Sequence, residues 1–246
     1  MSNPDAHRND ARLAEISQNL AAVQDRIQRA CTAAGRRSEE LTLIAVTKFF
    51  PVSDAIALAR CGVSDLGENR DQEASAKAAA FAEQAPAEIG PVRWHFIGQL
   101  QTNKARSVAR YADLVHSVDR PEVAIALARG AAQAGRQLPV LVQVSLDADP
   151  HRGGMVSHRL PALANFVADQ PALRLAGVMA IAPLDADPDV AFDQLARTAQ
   201  QVRASHPDAV IVSAGMSGDL EAAVRHGATH LRIGTALLGR RPQVIG

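Results

Sequence analysis

At 246 residues the chain can bury the core of one large α/β domain or two small ones. Its 47% hydrophobic and 3% aromatic residues favour helices packed closely on a sheet over an aromatic-rich β-sandwich. With 26 basic against 26 acidic residues, no net field steers it toward nucleic acid or an anionic membrane. No apolar stretch approaches the roughly 20 residues of a membrane span, and the polar start Met1–Arg8 lacks the hydrophobic core of a signal peptide. Cys31 and Cys61 fall in separate expected helices without CxxC spacing, so they read as buried thiols of a reducing cytoplasm. No metal site is expected from the histidines.

From Asp10 to Gly35 the chain has a helical period, with Leu13, Ile16, Leu20, Val23 and Ile27 at three- and four-residue steps and Gly35 as C-cap. Beyond it, apolar runs alternate with helical segments. The runs expected as strands are Leu41–Thr47, Val63–Gly67, Arg93–Gly98, Leu114–Val118, Val140–Leu146, Leu173–Ile181, Ala209–Ala214 and His230–Gly234. Helices are expected over Ala55–Cys61, Glu73–Ala82, Lys104–Tyr111, from an acidic N-cap at Asp119 with Glu122 completing a capping box, and over His158–Ala168, Asp189–Ala204 and Asp219–Gly227. Eight strand–helix alternations point to an α/β fold, a single (β/α)8 TIM-type barrel over 1–246 with an extra N-terminal helix in 1–35. An open doubly wound sheet is the alternative, because periodicity counts units and cannot see closure.

Barrel chemistry sits where strands run into βα loops. Lys48 ends the first apolar run, Leu41 to Lys48, on the face of Thr42, Ile44 and Val46. Burial there disfavours the charged amine and prepares a lysine to condense with a carbonyl; a snorkelling lysine at a strand end is the other reading. Ser213-Ala-Gly-Met-Ser-Gly-Asp219 and Gly234-Thr235 are small-residue loops after the last two strands, suited to a phosphate. Arg232 shares a face with His230 and Gly234, and needs either an acid such as Glu68 or a ligand atom with a lone pair. A lysine for an aldehyde, a phosphate cradle and an arginine for a ring nitrogen together describe pyridoxal 5′-phosphate (PLP).

At these residues the chain resembles the pyridoxal phosphate homeostasis protein family (YggS/PROSC), which looks like the barrel of alanine racemase standing alone. The motifs are Ile44-Ala-Val-Thr-Lys48, Gly67-Glu-Asn69, Trp94-His-Phe-Ile-Gly98, Gly177-Val-Met-Ala-Ile181, Ser213-Ala-Gly-Met-Ser217 and Arg232-Ile-Gly-Thr235. The resemblance implies Lys48 as the residue joined to PLP as an aldimine. It also implies Asn69 near the cofactor's hydroxyl side, Ser213, Gly234 and Thr235 at the phosphate, Arg232 facing the pyridine nitrogen, and Met179 and Met216 at the pocket wall. The chain departs from the family pattern at Arg70, where tyrosine is usual, at Gly218, where aspartate is common, and at His151-Arg-Gly-Gly154, where a Lys-x-Gly run is typical.

Three functions compete. The first is a cytoplasmic PLP carrier without evident turnover, its partners being PLP and apo PLP-dependent enzymes as acceptors. The second is a PLP-dependent racemase or lyase of the alanine racemase fold type. The third is a barrel aldolase using Lys48, which leaves Arg232 without a role. A racemase needs proton donors on both faces of its carbanion. Tyr111 is expected away from the mouth, Cys61 at a helix end, and no covering β-domain is expected to follow. An arginine at the pyridine nitrogen also weakens the ring as an electron sink, so the carrier leads.

Overall fold

In the computed structural model, which describes residues 4–147, 149 and 153–240, every strand pairing is parallel. The strands are β1 (Thr42–Val46), β2 (Asp65–Glu68), β3 (Arg93–Phe96), β4 (Leu114–Val118), β5 (Leu138–Ser145), β6 (Met155–Val156), β7 (Leu173–Met179), β8 (Ile211–Ser213) and β9 (His230–Ile233). The helices are α1 (Pro4–Ala33), α2 (Val52–Arg60), α3 (Asp71–Gln84), α4 (Ala105–Tyr111), α5 (Pro121–Gln133), α6 (Leu160–Ala168), α7 (Pro188–Ser205), α8 (Leu220–Arg225) and α9 (Thr235–Leu238). β1 lies between β2 and β9, and the β4–β5 pairing closes the ring. The result is the expected eight-stranded (β/α)8 barrel, with the two-residue β6 added beside β5.

Alternation along each strand divides the residues between two environments. Outward side chains such as Ala45, Leu66, Phe96, Val115 and Val140 join one apolar layer with the helices. Inward, Leu114, Leu141, Ala176 and Met179 form a small apolar plug. The N-terminal helix α1 buries Ile16, Leu20, Val23, Ile27 and Cys31, a four- and three-residue stripe contributing roughly 1.5–3 kcal/mol per large aliphatic side chain. Gly35, at φ 66, ends this segment as expected, and Arg36 N–H returns to the Cys31 carbonyl at 2.9 Å. Arg12 ties α1 to Asp54 of α2 at 2.8 Å. Arg26 bonds both carboxylate oxygens of Glu221 on α8, at 2.5 and 2.6 Å.

Two details differ from the sequence expectation. Six of the eight barrel strands stop one or two residues before the expected runs do, while β4 ends as expected and β2 runs on to Glu68: β1 ends at Val46, leaving Lys48 in the following turn. The N-cap of α5 is Arg120, not Asp119. Pro121 takes the first helical position, and the Asp119 carboxylate accepts from Arg120 at 2.6 Å instead of closing a capping box.

Candidate functional site

Lys48 stands at the carboxyl end of β1, half-buried, where Thr47 N–H makes the last ladder bond to the Gly67 carbonyl at 3.0 Å. The next residue, Phe49, has φ 71, the only non-glycine residue at positive φ among those described. A phenylalanine in that region carries about 1–3 kcal/mol of strain, which marks the turn as built for a task. The Phe49 ring lies between two cations, with Lys48 Nζ 5.9 Å and the Arg70 guanidinium 5.5 Å from its centroid.

On the neighbouring strand, register pairs Ile44 with Arg232. Arg232 is buried and does not meet Glu68. It donates to Ser213 Oγ at 2.7 Å and to the Ala180 carbonyl at 2.9 Å, using two of its five N–H groups. Burial lowers its pKa to about 10, so it remains a cation at neutral pH. Glu68 points to the outer side of the sheet, where its Oε1 accepts from Lys77 at 2.5 Å and from Thr47 at 2.6 Å.

Ser213 is therefore set apart from the phosphate loop that was expected to contain it. Its hydroxyl is fully buried and lies 2.9 Å from His116 Nδ1 as well as 2.7 Å from Arg232. Below it, His116 Nε2 is 3.0 Å from His95 Nδ1, and His95 Nε2 is 2.8 Å from Asp65 Oδ1. Burial, then the neighbouring His95, Arg232 and His230 side chains, holds His116 well below the ordinary imidazole range, and burial takes His230 to about 4. Burial alone would raise Asp65. Bonds from His95, Arg93 and Ser64 outweigh it and hold the carboxyl below its usual range.

The loops expected at a phosphate do converge higher up. Gly234 precedes α9 with Thr235 exposed at its start, and Ala236 N–H reaches Ser217 Oγ at 3.4 Å. A Cβ on Gly234 would come 3.3 Å from the Val46 carbonyl. Gly215, at φ 89, turns the loop, and Met216 N–H is held by Asp219 at 2.6 Å. Ser217, within the quoted motif but not singled out, is the hydroxyl beside Gly234 and Thr235. Met216 is half-buried in this loop, while Met179 lies in the barrel plug.

Across the mouth, Asn69 lines a cleft of about 200 Å³ with Gly98, Gln99, Gln143, Ser145 and Ile181. A Cβ at Gly98 would fall 2.0 Å from the Asn69 carbonyl oxygen, so only glycine permits this packing. Tyr111 sits behind the sheet beside Asp71 and Glu68: burial, followed by their charges, pushes its phenol upward. Cys61 caps α2. His226 faces Asp189 on the surface while His230 faces inward toward His95, and no cluster of three His, Cys, Asp or Glu could hold a metal ion among the described residues.

Residues 18–242 match the alanine racemase N-terminal domain family. Over 243 residues, 94% of each chain, the sequence is 46% identical to the pyridoxal phosphate homeostasis protein of Mycobacterium bovis. Over 230 residues, 92% of this chain and 97% of the other, it is 37% identical to the Escherichia coli protein of the same name. The chain belongs to the pyridoxal phosphate homeostasis protein family. Among solved structures, PipY of Synechococcus elongatus with PLP bound matches at TM-score 0.79 and 31% identity, over 91% of this chain and 100% of that one. Alanine racemase from Corynebacterium glutamicum matches at TM-score 0.66 and 16% identity, over 95% of this chain and 62% of that one, a likeness of fold alone.

Two departures of this family member have simple structural accounts. Gly218 sits in open space, where a Cβ would touch nothing within 4 Å, so the loop does not depend on an aspartate there. Arg70 is exposed, pairs with Glu73 at 3.4 Å and covers Phe49. His151 and Arg152 lie outside the described residues. No helix among the described residues is long and apolar enough to cross a membrane.

Proposed function

We propose that this chain binds PLP at the carboxyl end of its barrel, with Lys48 linked covalently to the cofactor's aldehyde. On this reading it holds and delivers the cofactor in the cytoplasm without turning over an amino acid. One observation carries the reading: a half-buried amine follows β1 and a buried guanidinium stands on β9, the strand paired with it, and neither has a carboxylate partner among the described residues. That donor set fits PLP. Lys48 suits the aldehyde, Arg232 the pyridine nitrogen and Asn69 the hydroxyl side. The N–H groups and hydroxyls around Ser217, Gly234 and Thr235 suit the phosphate, with Met216 as a wall and Met179 beneath.

When bound, PLP supplies an aldehyde and a ring that draws electrons from a substrate. Arg232 can only donate to the ring nitrogen, which keeps that nitrogen unprotonated and weakens the draw. Proton transfer on both faces of a substrate also needs a second donor; Tyr111 lies outside the sheet and Cys61 caps an outer helix. These positions favour a carrier over a racemase or lyase. The names of its relatives, and the PLP in PipY, support the choice of cofactor.

The test loads the purified protein with PLP, follows its absorbance, reduces it with borohydride and maps the adduct by peptide mass spectrometry. The adduct is expected on Lys48, and finding it on Lys77 or Lys104 would refute the assignment. The loaded protein is then incubated with L- and D-amino acids in deuterated water, and separately with an apo PLP-dependent enzyme. Slow α-proton exchange with recovery of the acceptor's activity is expected. Exchange at enzymatic rates would instead favour the racemase.

A further inference from the structure

The barrel interior contains an unbroken file of polar groups running from Arg232 near the mouth toward the amino ends of the strands. Arg232 meets Ser213 at 2.7 Å, Ser213 meets His116 at 2.9 Å, His116 meets His95 at 3.0 Å, and His95 meets Asp65 at 2.8 Å. All five side chains are buried. Asp65 opens β2 and is gripped from outside by Arg93 at 2.7 Å and Ser64 at 2.6 Å.

Chemistry at the two ends gives the file a direction. A guanidinium can only donate and a carboxylate can only accept. Ser213 therefore accepts from Arg232 and passes its own hydrogen to His116 Nδ1. His116 then donates from Nε2 to His95 Nδ1, and His95 donates from Nε2 to Asp65. Four bonds use four hydrogens, all supplied with both imidazoles neutral. One extra proton on His95 would place N–H against N–H between the rings. Reversing the file to relieve that clash would leave the buried Ser213 hydrogen without its acceptor. Other groups near the file are His230, whose ring centroid is 6.4 Å from that of His95, Arg93, and Asp219, whose charge acts on Arg232.

We infer that Ser213, His116, His95 and Asp65 are positioning residues that orient the Arg232 guanidinium from within the barrel, so that groups remote from the mouth govern how tightly the site holds its ring. The inference rests on the reading of Arg232 as the partner of the PLP ring nitrogen. The Ala180 carbonyl anchors the guanidinium's second arm at 2.9 Å, which leaves the hydroxyl of Ser213 as the adjustable anchor. An unsupported guanidinium in a buried pocket would rotate to find other acceptors.

Nitrogen-15 NMR of ligand-free protein near neutral pH reads the file directly. Both His95 and His116 are expected with hydrogen on Nε2 and a bare Nδ1, and hydrogen on either Nδ1 would overturn the inference whether or not PLP binds. The second arm uses His116→Phe, which approximates the ring's volume without its bonds, after thermal unfolding and circular dichroism establish that it folds. With ring-labelled [15N]PLP, the variant is expected to shift the pyridine-nitrogen resonance and hold PLP at least tenfold more weakly, with Lys48 still the borohydride-trapped residue. Wild-type affinity and an unchanged resonance would overturn the inference. Failure of wild-type protein to take up PLP would sink the cofactor reading instead, leaving the tautomers to decide the file.

Discussion

Lys77 of α3 and Glu68 of β2 form an ion pair behind the strand that leads to Asn69, with Nζ 2.5 Å from Oε1 and both side chains buried. The same ammonium donates to the Thr47 carbonyl at 2.7 Å, one residue before Lys48. One cation thus braces the ends of both β1 and β2 from the outer side. Replacing Lys77 with methionine should cost about 3–5 kcal/mol, because it strands a buried carboxylate. Adding Glu68→Gln should recover much of that loss. Urea unfolding of the two variants measures both effects, and a single variant within about 1 kcal/mol of wild type would contradict the brace.

Gly98 should tolerate no side chain. Gly98→Ala would drive a methyl group into the Asn69 backbone, which cannot yield as a flexible side-chain tip could. A stability loss of about 1–3 kcal/mol is expected, together with weaker PLP uptake because Asn69 moves. Normal uptake by a stable variant would show that Asn69 does not need its present place.

Acid should weaken the fold before it reaches the carboxylate range. His116 is held well below 6.5 and His230 at about 4, so both rings are neutral when folded. The unfolded chain binds these protons first as pH falls. The stabilisation is therefore complete above about pH 6.5 and declines toward pH 4, by up to ~1.4 kcal/mol per pH unit for each ring. Asp65, held low, adds a loss in the same direction at still lower pH. Denaturant unfolding at several pH values reads the slope, and His116→Phe should flatten it; a flat wild-type profile would refute the neutral rings.

Arg26 joins the phosphate-type loop to the N-terminal helix by bonding Ser217 O at 2.6 Å and both oxygens of Glu221. Arg26→Ala should loosen that loop and raise the dissociation constant for PLP several-fold, since such charge-assisted bonds contribute about 1.5–3 kcal/mol each. Pyridoxal without phosphate should bind weakly to both proteins, with little difference between them. Equal losses for both ligands would place the effect of Arg26 elsewhere.

Period-two apolar runs made all eight barrel strands legible, and the register that sets Lys48 beside the β9 strand follows from their closure. Closure itself was not legible, because it rests on the β1–β9 pairing of the first strand with the last, and neither strand's own pattern names its partner. Ser213 stood both at the end of an expected strand and at the start of a small-residue loop. Composition could not tell whether its hydroxyl faces the mouth or, as the structure has it, the buried interior of the barrel. Asp65 and His116 were missed because each is the one polar residue on the inward face of its strand, which by itself is no signal. Their signal was joint: His95, His116 and His230 all fall on inward phases of their strands.

Closure has one consequence for how another protein could approach. With β4 hydrogen-bonded to β5, the ring has no free margin of backbone donors and acceptors beyond the short β6 segment. Another protein therefore has no ring strand, β6 apart, to extend with a strand of its own. At the carboxyl end the rim offers instead the turn that carries Lys48 and Phe49, the Asn69 and Gln99 loops, and the segment around Leu184, which is 94% exposed. If the chain delivers PLP as proposed, handover would be a matter of side chains meeting these loops, and differences among rims would decide which recipients are served.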